Sequence, residues 1–105
     1  MTERFNHLKG IAILKFSDPL EAARKAKIYF GEANRLHFST RKDKKYMVQN
    51  EQGNWIHFGA MGYEDFIKHM DENRRQAYLA RSRNIKGNWK SDKYSPNNLA
   101  IHILW

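Results

Sequence analysis

Residues 44–59, KKYMVQNEQGNWIHFG, predict a β-hairpin. The runs 45–49 and 54–58 combine aromatic, β-branched and long apolar residues, which suit a pleated strand. The polar loop 50–53 lies between them and ends in Gly53, which can adopt the positive φ that a short hairpin loop often requires. Because apolar side chains occur on both faces of these runs, we expect the hairpin to lie at the centre of the fold.

The strand register decides which hairpin residues form the core. We expect Gln49 to pair with Asn54 across the loop, which places Val48 opposite Trp55. A shift of one residue would move every side chain to the opposite face of the sheet. The hairpin residues that we predict in the core are Tyr46, Val48, Trp55 and Ile56.

A helix is predicted before the hairpin. Asp18 followed by Pro19 is typical of a helix start, and Gly31 is typical of a helix end. A helix should therefore occupy about residues 18–30. The preceding residues 10–16 fit either a short strand or an apolar lead-in to this helix. The residues expected on its packed face are Leu20, Ala23, Ala26 and Phe30.

Further helices are predicted after the hairpin. Gly59 and Gly62 lie close together and indicate a tight turn or a close backbone approach. A helical pattern then covers about residues 63–83, as one helix or as two that divide at Asp71. Later in the chain, Trp89 is expected to fill part of the core with its N–H bonded, and base stacking is the alternative.

The end of the chain completes an α+β fold. Ser95 followed by Pro96 is typical of a helix start, so a terminal helix is expected over about residues 96–104, with a strand as the alternative. We predict one domain over residues 1–105. In it, a small antiparallel sheet built on the central hairpin (about 45–58) is packed by the N-terminal helix and by the C-terminal helices.

The chain is strongly basic, with a net charge of +8 and its largest surplus of cations after residue 70. A basic surface attracts nucleic acid first, acidic protein surfaces second and anionic lipid third. A basic domain without any polyanionic partner is the alternative. The composition therefore points to a class of partner and does not identify a reaction.

Composition also excludes several classes of protein. The chain contains no cysteine, so a disulfide framework and a thiolate metal site are excluded. Its apolar runs are far too short for a membrane span, and its first residues lack the apolar centre of a signal peptide. We expect a protein that is neither secreted nor membrane-spanning, and that lies inside a cell or a virus.

Two groups of residues are candidates for binding nucleic acid. The first is the charged loop, residues 41–45, which leads into the hairpin and contains four cations. It could contact phosphates or could protect a sheet edge. In the second group Tyr78 lies on one helix face between Arg74 and Arg81, which would suit phosphate contact and stacking; alternatively the tyrosine is half-buried and the arginines pair with nearby carboxylates. The predicted nucleic-acid-binding residues are Arg41, Lys42, Lys44, Lys45, Arg74, Arg75, Tyr78, Arg81, Arg83 and Lys86.

Catalysis has weaker support in the sequence. His57 in a strand, followed by His69 and Asp71 in a helical region, loosely matches the layout of nucleases that hold a metal between a hairpin and a helix. No glycine-rich phosphate loop or serine-nucleophile motif is present. We therefore predict no cofactor, no metal and no catalytic residue, and we keep a small nuclease using these three residues as an alternative.

Residues Ser39 to Trp105 resemble a family of small basic proteins encoded by large DNA viruses of the nucleocytoplasmic giant-virus group and by some phages. The matching pieces are KKYMV, IHFGAMGYEDF, KHMDENRRQAYLAR, NIKGNW and SPNNLAIHILW. The resemblance implies a viral origin and a role in the virion or in infection. It supplies no catalytic residues, because the family has no assigned reaction.

These observations lead to one expected function and its alternatives. We expect a non-enzymatic viral protein, associated with the virion, that binds nucleic acid, DNA above all, through phosphate contacts with little sequence reading. Its location would be the virion or the host cytoplasm or nucleus. The alternative is a minor capsid or other structural protein that docks on acidic virion proteins, and oligomer formation is left open. Convergence of the two basic groups on one surface would favour nucleic-acid binding.

Overall fold

The computed structural model describes residues 2–105, with side chains from Arg4 onward. Its fold is α+β, as predicted, with the strands in the order β1-β2-β3 in one antiparallel sheet. No helix within the described residues is long and apolar enough to cross a membrane. The elements are α1 (Thr2–Ile13), α2 (Pro19–Phe30), β1 (His37–Phe38), β2 (Lys44–Gln49), β3 (Trp55–Ala60), α3 (Phe66–His69), α4 (Glu72–Arg83), a 3₁₀ turn (Trp89–Ser91), α5 (Pro96–Leu99) and a π-helical segment (Ala100–Leu104).

The hairpin is present, but its predicted register is wrong by one residue. Gln49 lies opposite Trp55, so the loop contains five residues, 50–54. The side-chain oxygen of Asn50 accepts hydrogen bonds from the backbone N–H groups of Gln52 (3.0 Å) and Asn54 (2.9 Å). These bonds keep Asn54 in the loop. The positive φ predicted for the loop glycine is confirmed, at +84°.

The observed register changes the membership of the core. Tyr46 lies opposite Phe58, and both side chains are buried. Val48 is also buried and lies opposite the partly buried Ile56. Trp55 was predicted in the core, but it is 43% exposed because the shift in register moves it away from the buried face.

Helix α2 begins and ends where the sequence predicts. The Asp18 side chain accepts the N–H of Glu21, and Gly31 ends the helix with φ +76°. The predicted packed face is wrong in part: Leu20 is 85% exposed, whereas Ala22 and Ala26 are buried. Helix α2 contacts the π-helical segment, and the small alanine side chains allow this close packing.

The two ends of the chain both form helix. Residues 10–13 belong to α1 and are neither a strand nor a lead-in to α2. The terminal helix is confirmed, with the Ser95 hydroxyl oxygen accepting the N–H of Asn98 at 3.2 Å. Trp89 is half-buried and lies outside the hydrophobic core, contrary to prediction. Its N–H is bonded as expected, to the carbonyl oxygen of Ile85 at 2.7 Å.

A buried ion pair joins the sheet to two connecting segments. Nζ of Lys45 lies 3.2 Å from Oδ2 of Asp65 and donates to the carbonyl oxygens of Phe16 (3.2 Å) and Tyr63 (2.6 Å). All three ammonium protons therefore have an acceptor. The second carboxylate oxygen of Asp65 accepts the N–H of Lys68. Burial lowers the pKa of Lys45 and raises the pKa of Asp65, and each partner opposes the shift in the other.

Gly59 brings β3 into close contact with the π-helical segment. Its φ is +81°, a conformation that glycine adopts at no steric cost. A Cβ atom at this position would lie 2.9 Å from Cδ1 of Leu104 and 3.3 Å from Cβ of Lys45. The close backbone approach predicted from the paired glycines is therefore found at Gly59.

We expect Asp65→Ala to lower the free energy of unfolding by about 3–5 kcal/mol, because it leaves a buried ammonium without its counter-charge. Lys45→Met should have a comparable effect, since it leaves the buried Asp65 carboxylate without its counter-charge and removes the lysine donor from the carbonyl oxygen of Tyr63. Urea denaturation monitored by circular dichroism measures both losses. The exposed variant Lys42→Ala is the control and should change the free energy by less than about 0.5 kcal/mol. Losses of only about 1 kcal/mol, typical of a surface pair, would contradict this role.

We expect Gly59→Ala to be more destabilising than Gly62→Ala by about 1–3 kcal/mol, the usual effect of overpacking. Gly62 also has a positive φ, +98°, but no described atom lies within 4 Å of a Cβ built there. The Gly62 variant therefore isolates the backbone strain from the steric contact. Urea denaturation of the two variants gives the comparison, and equal losses would show that Leu104 moves aside without penalty.

Candidate nucleic-acid interface

An open cleft of about 660 Å³ lies between the sheet, α4 and the C-terminal helical segments. The start of β2, the end of β3 and the turn after β3 form one wall, and α4 forms another. Its polar and aromatic lining comprises Lys44, Lys45, Phe58, Tyr63, Glu64, Asp65, Arg74, Tyr78, Arg81, Asn97 and Trp105. We call this feature the basic cleft.

The basic cleft brings together members of both predicted binding groups. Lys44 comes from the charged loop and the start of β2, whereas Arg74, Tyr78 and Arg81 come from α4. The helix spacing predicted for the three α4 residues is therefore realised, because all of them line one wall. The sequence could not establish this convergence, since it depends on how α4 packs against the sheet.

Arg74 and Tyr78 make the contacts that the sequence left as alternatives. Arg74 pairs with Glu64 at 3.3 Å, and both side chains are largely exposed. Tyr78 is half-buried and stacks on Trp105, with 4.0 Å between ring centroids and 8° between ring planes. Burial raises the pKa of Tyr78. The tyrosine is therefore part of a wall of the cleft, and one of its faces is already occupied.

Lys45 was predicted to contact nucleic acid, and the structure corrects that prediction. Its side chain is only 2% exposed and its ammonium is committed to Asp65 and two carbonyl oxygens. A buried ammonium with all its protons bonded cannot neutralise a phosphate at the surface. Lys45 supports the floor of the basic cleft.

The remaining predicted binding residues lie outside the basic cleft. Arg75 donates to the carbonyl oxygen of Trp105 at 2.8 Å and pairs with Glu72 at 3.0 Å, so it has a structural role. Arg41 pairs with Asp43 at 3.4 Å on the exposed loop. The others are exposed but do not line the cleft, namely Lys42, Arg83 and Lys86.

Sequence reasoning missed two residues that shape this region. Tyr63 lines the basic cleft and is 74% exposed. The sequence predicted a helix from residue 63, whereas α3 begins at Phe66, so Tyr63 lies in the preceding loop and its exposure was not foreseen. Lys9 of α1 donates to the carbonyl oxygens of Arg41 (2.8 Å) and Lys44 (2.7 Å), which ties the charged loop to α1. No sequence signal indicated this long-range contact.

His57 forms a hydrogen-bonded pair with Ser39. The Ser39 hydroxyl oxygen accepts the N–H of Arg41 at 3.0 Å, and a hydrogen bond of 2.6 Å joins the hydroxyl group to Nδ1 of His57. Serine–histidine pairs occur in enzymes that use a serine nucleophile. Ser39 is completely buried, however, so no substrate can reach its hydroxyl group. The pair fixes the start of the charged loop against β3.

The three residues of the alternative nuclease site are not gathered around a common point. Nδ1 of His69 accepts the N–H of Asp71 at 2.9 Å, and the carboxylate of Asp71 caps α4. His57 is bonded to Ser39 instead. In the part of the chain that the structure describes, no cluster of three histidine or acidic residues could hold a metal ion. These contacts give the nuclease alternative no support.

We expect the protein to lose stability as the pH falls through the ordinary histidine pKa of about 6.5. Burial, followed by the charge of Arg41, lowers the pKa of His57, and burial also lowers the pKa of His69 and His102. Below about pH 6.5 the unfolded chain binds protons that the folded chain does not, so the free energy of unfolding decreases until the lowered pKa values are passed.

Urea denaturation at about pH 7.5 and about pH 5.5, on either side of the ordinary histidine pKa, measures this decrease. The variant His57→Asn keeps a polar side chain that can donate to or accept from the Ser39 hydroxyl, and it cannot titrate. It should show a smaller decrease, while His69 and His102 retain theirs. A greater stability at the lower pH would contradict the predicted sign.

Comparison with known proteins gives one match of limited extent. No curated protein and no solved structure matches the chain. Residues 34–82, less than half of the 105-residue chain, match DUF5754, a family of unknown function. The matched segment contains all three strands, α3 and most of α4. The chain is therefore similar to this family over the segment that supplies Lys44, Tyr63, Arg74, Tyr78 and Arg81 to the basic cleft.

Proposed function

We propose that the protein binds nucleic acid through phosphate contacts in the basic cleft, without catalysing a reaction. The observation that supports this proposal is the convergence of Lys44 from β2 with Arg74 and Arg81 from α4 on one concave surface. Cations from separate parts of the chain that meet in one groove can follow a phosphate backbone. A solvated basic face would not require such convergence.

The charges of the cleft suit an anionic ligand. Its lining contains four basic side chains and only two carboxylates, those of Glu64 and Asp65. Asp65 is neutralised by Lys45, and neither Lys44 nor Arg81 forms an ion pair with any described carboxylate. The exposed pair of Arg74 with Glu64 is weak in water, so a phosphate group can compete for this arginine.

The biological setting is also a proposal. The resemblance of Ser39–Trp105 to small basic proteins of large DNA viruses supports a viral protein that acts in the virion or in the host cytoplasm or nucleus. DNA is then the first candidate ligand. The alternative, a virion structural protein that docks on acidic protein surfaces, would use the same three cations.

Binding of labelled DNA and RNA oligonucleotides over a series of salt concentrations tests the proposal. We expect the logarithm of the binding constant to fall linearly with the logarithm of salt concentration, because phosphate contacts release counterions. The double variant Lys44→Ala/Arg81→Ala should bind more weakly and reduce the slope by about 2, one unit for each phosphate that the variant no longer neutralises. Absence of binding to DNA and RNA at low salt would refute the proposal.

A matched control separates the cleft from the general positive charge. The double variant Lys42→Ala/Lys86→Ala removes the same charge from exposed positions outside the cleft. It should lose less affinity than the cleft variant, and an equal loss would contradict binding in the cleft. Polyglutamate serves as an acidic-protein competitor, and equal binding of polyglutamate and nucleic acid would favour the structural alternative.

A further inference from the structure

Tyr63 presents an exposed ring from a fixed backbone. The residue is 74% exposed, whereas its carbonyl oxygen accepts a hydrogen bond of 2.6 Å from the buried ammonium of Lys45. The next residue but one, Asp65, is buried and bonded to the same ammonium. The backbone that directly follows the Tyr63 ring is therefore held by contacts inside the protein, while the ring itself is exposed at the edge of the basic cleft.

The other aromatic rings of the cleft are already engaged. Tyr78 and Trp105 stack on each other, and Arg75 holds the carbonyl group of Trp105. These two rings form a fixed apolar wall. Tyr63 is the exposed tyrosine of the cleft and has no ring partner among the described residues within the stacking distances found elsewhere in the fold.

The arrangement places an aromatic ring beside cations in a concave site. The cleft volume of about 660 Å³ lies within the range of about 300–1,000 Å³ that encloses a small organic molecule. In a duplex the faces of the bases are stacked on one another and cannot contact a protein ring. In a single strand they are accessible, and basic grooves that follow a single strand use aromatic rings as stacking platforms.

We infer that the basic cleft binds single-stranded nucleic acid, with an unstacked base on the ring of Tyr63 and the adjoining phosphates near Lys44 and Arg81. This inference rests on the proposed nucleic-acid binding and adds the class of ligand. Stacking on one ring discriminates little between bases, so we expect weak sequence preference.

Fluorescence anisotropy with two labelled probes tests the inference. One probe is an oligothymidylate of about 15 nucleotides, within the length that a small binding fold covers. The other is a duplex with the same number of phosphates. The full chain should bind the single strand more tightly than the duplex at equal salt concentration.

Substitution of Tyr63 tests the stacking contact directly. We expect Tyr63→Ala to weaken binding of the single strand by about 5- to 150-fold, the range for removal of one base–aromatic stack, and to leave duplex binding unchanged. Tyr63→Phe keeps the ring and should bind like the natural chain. Trp55→Ala is the matched control, because Trp55 is also an exposed aromatic residue but does not line the cleft.

The outcomes distinguish this inference from the proposed function. Absence of binding to both probes would overturn both. Tighter binding of the duplex, or unchanged binding of the single strand by Tyr63→Ala, would overturn the single-strand inference alone. A mononucleotide that competes as strongly as the oligonucleotide would show that the cleft takes a free nucleotide, and would also overturn it.

Discussion

The buried ion pair of Lys45 and Asp65 is the interaction on which the rest of the structure depends. Each charge loses its hydration when the chain folds, so the pair is stable only if every donor and acceptor finds a partner. The Lys45 ammonium meets this condition by reaching the carbonyl oxygens of Phe16 and Tyr63 as well as the carboxylate. One strand residue thereby fixes the connection between α1 and α2 and the loop that leads to α3.

The basic cleft follows from this arrangement. The ion pair holds the backbone of Tyr63 beneath the surface, and Gly59 lets β3 approach the π-helical segment closely. Helix α4 then faces the start of β2 across an open space, with Arg74 and Arg81 on its near side. The same lysine-rich segment thus supplies one cation to the interior and, at Lys44, another to the cleft. Adjacent lysines of one strand therefore have different environments, one buried and one at the surface of the cleft.

Local signals in the sequence were reliable where the physics is local. The caps at Asp18 and Ser95 and the left-handed glycine at residue 53 act within a few residues, and each was found as predicted. The strand register was missed because the side chain of Asn50 bonds within the loop and adds a fifth loop residue. That single shift exposed Trp55. The packed face of α2 was predicted wrongly in part, because the contact between α2 and the π-helical segment, which is distant in sequence, determines which face is buried.

The amino-acid sequence alone established the α+β class, the hairpin, both ends of α2, the start of α5 and a basic protein without cysteine chemistry, since composition, capping and residue periodicity are properties of short segments. Charge alone could not separate Lys45 from Lys44, because both are lysines in the same strand. Packing made that distinction: an ammonium is buried only where carbonyl and carboxylate oxygens converge on it from other parts of the chain. Convergence of Lys44, Arg74 and Arg81 in one cleft likewise arises from long-range packing between β2 and α4.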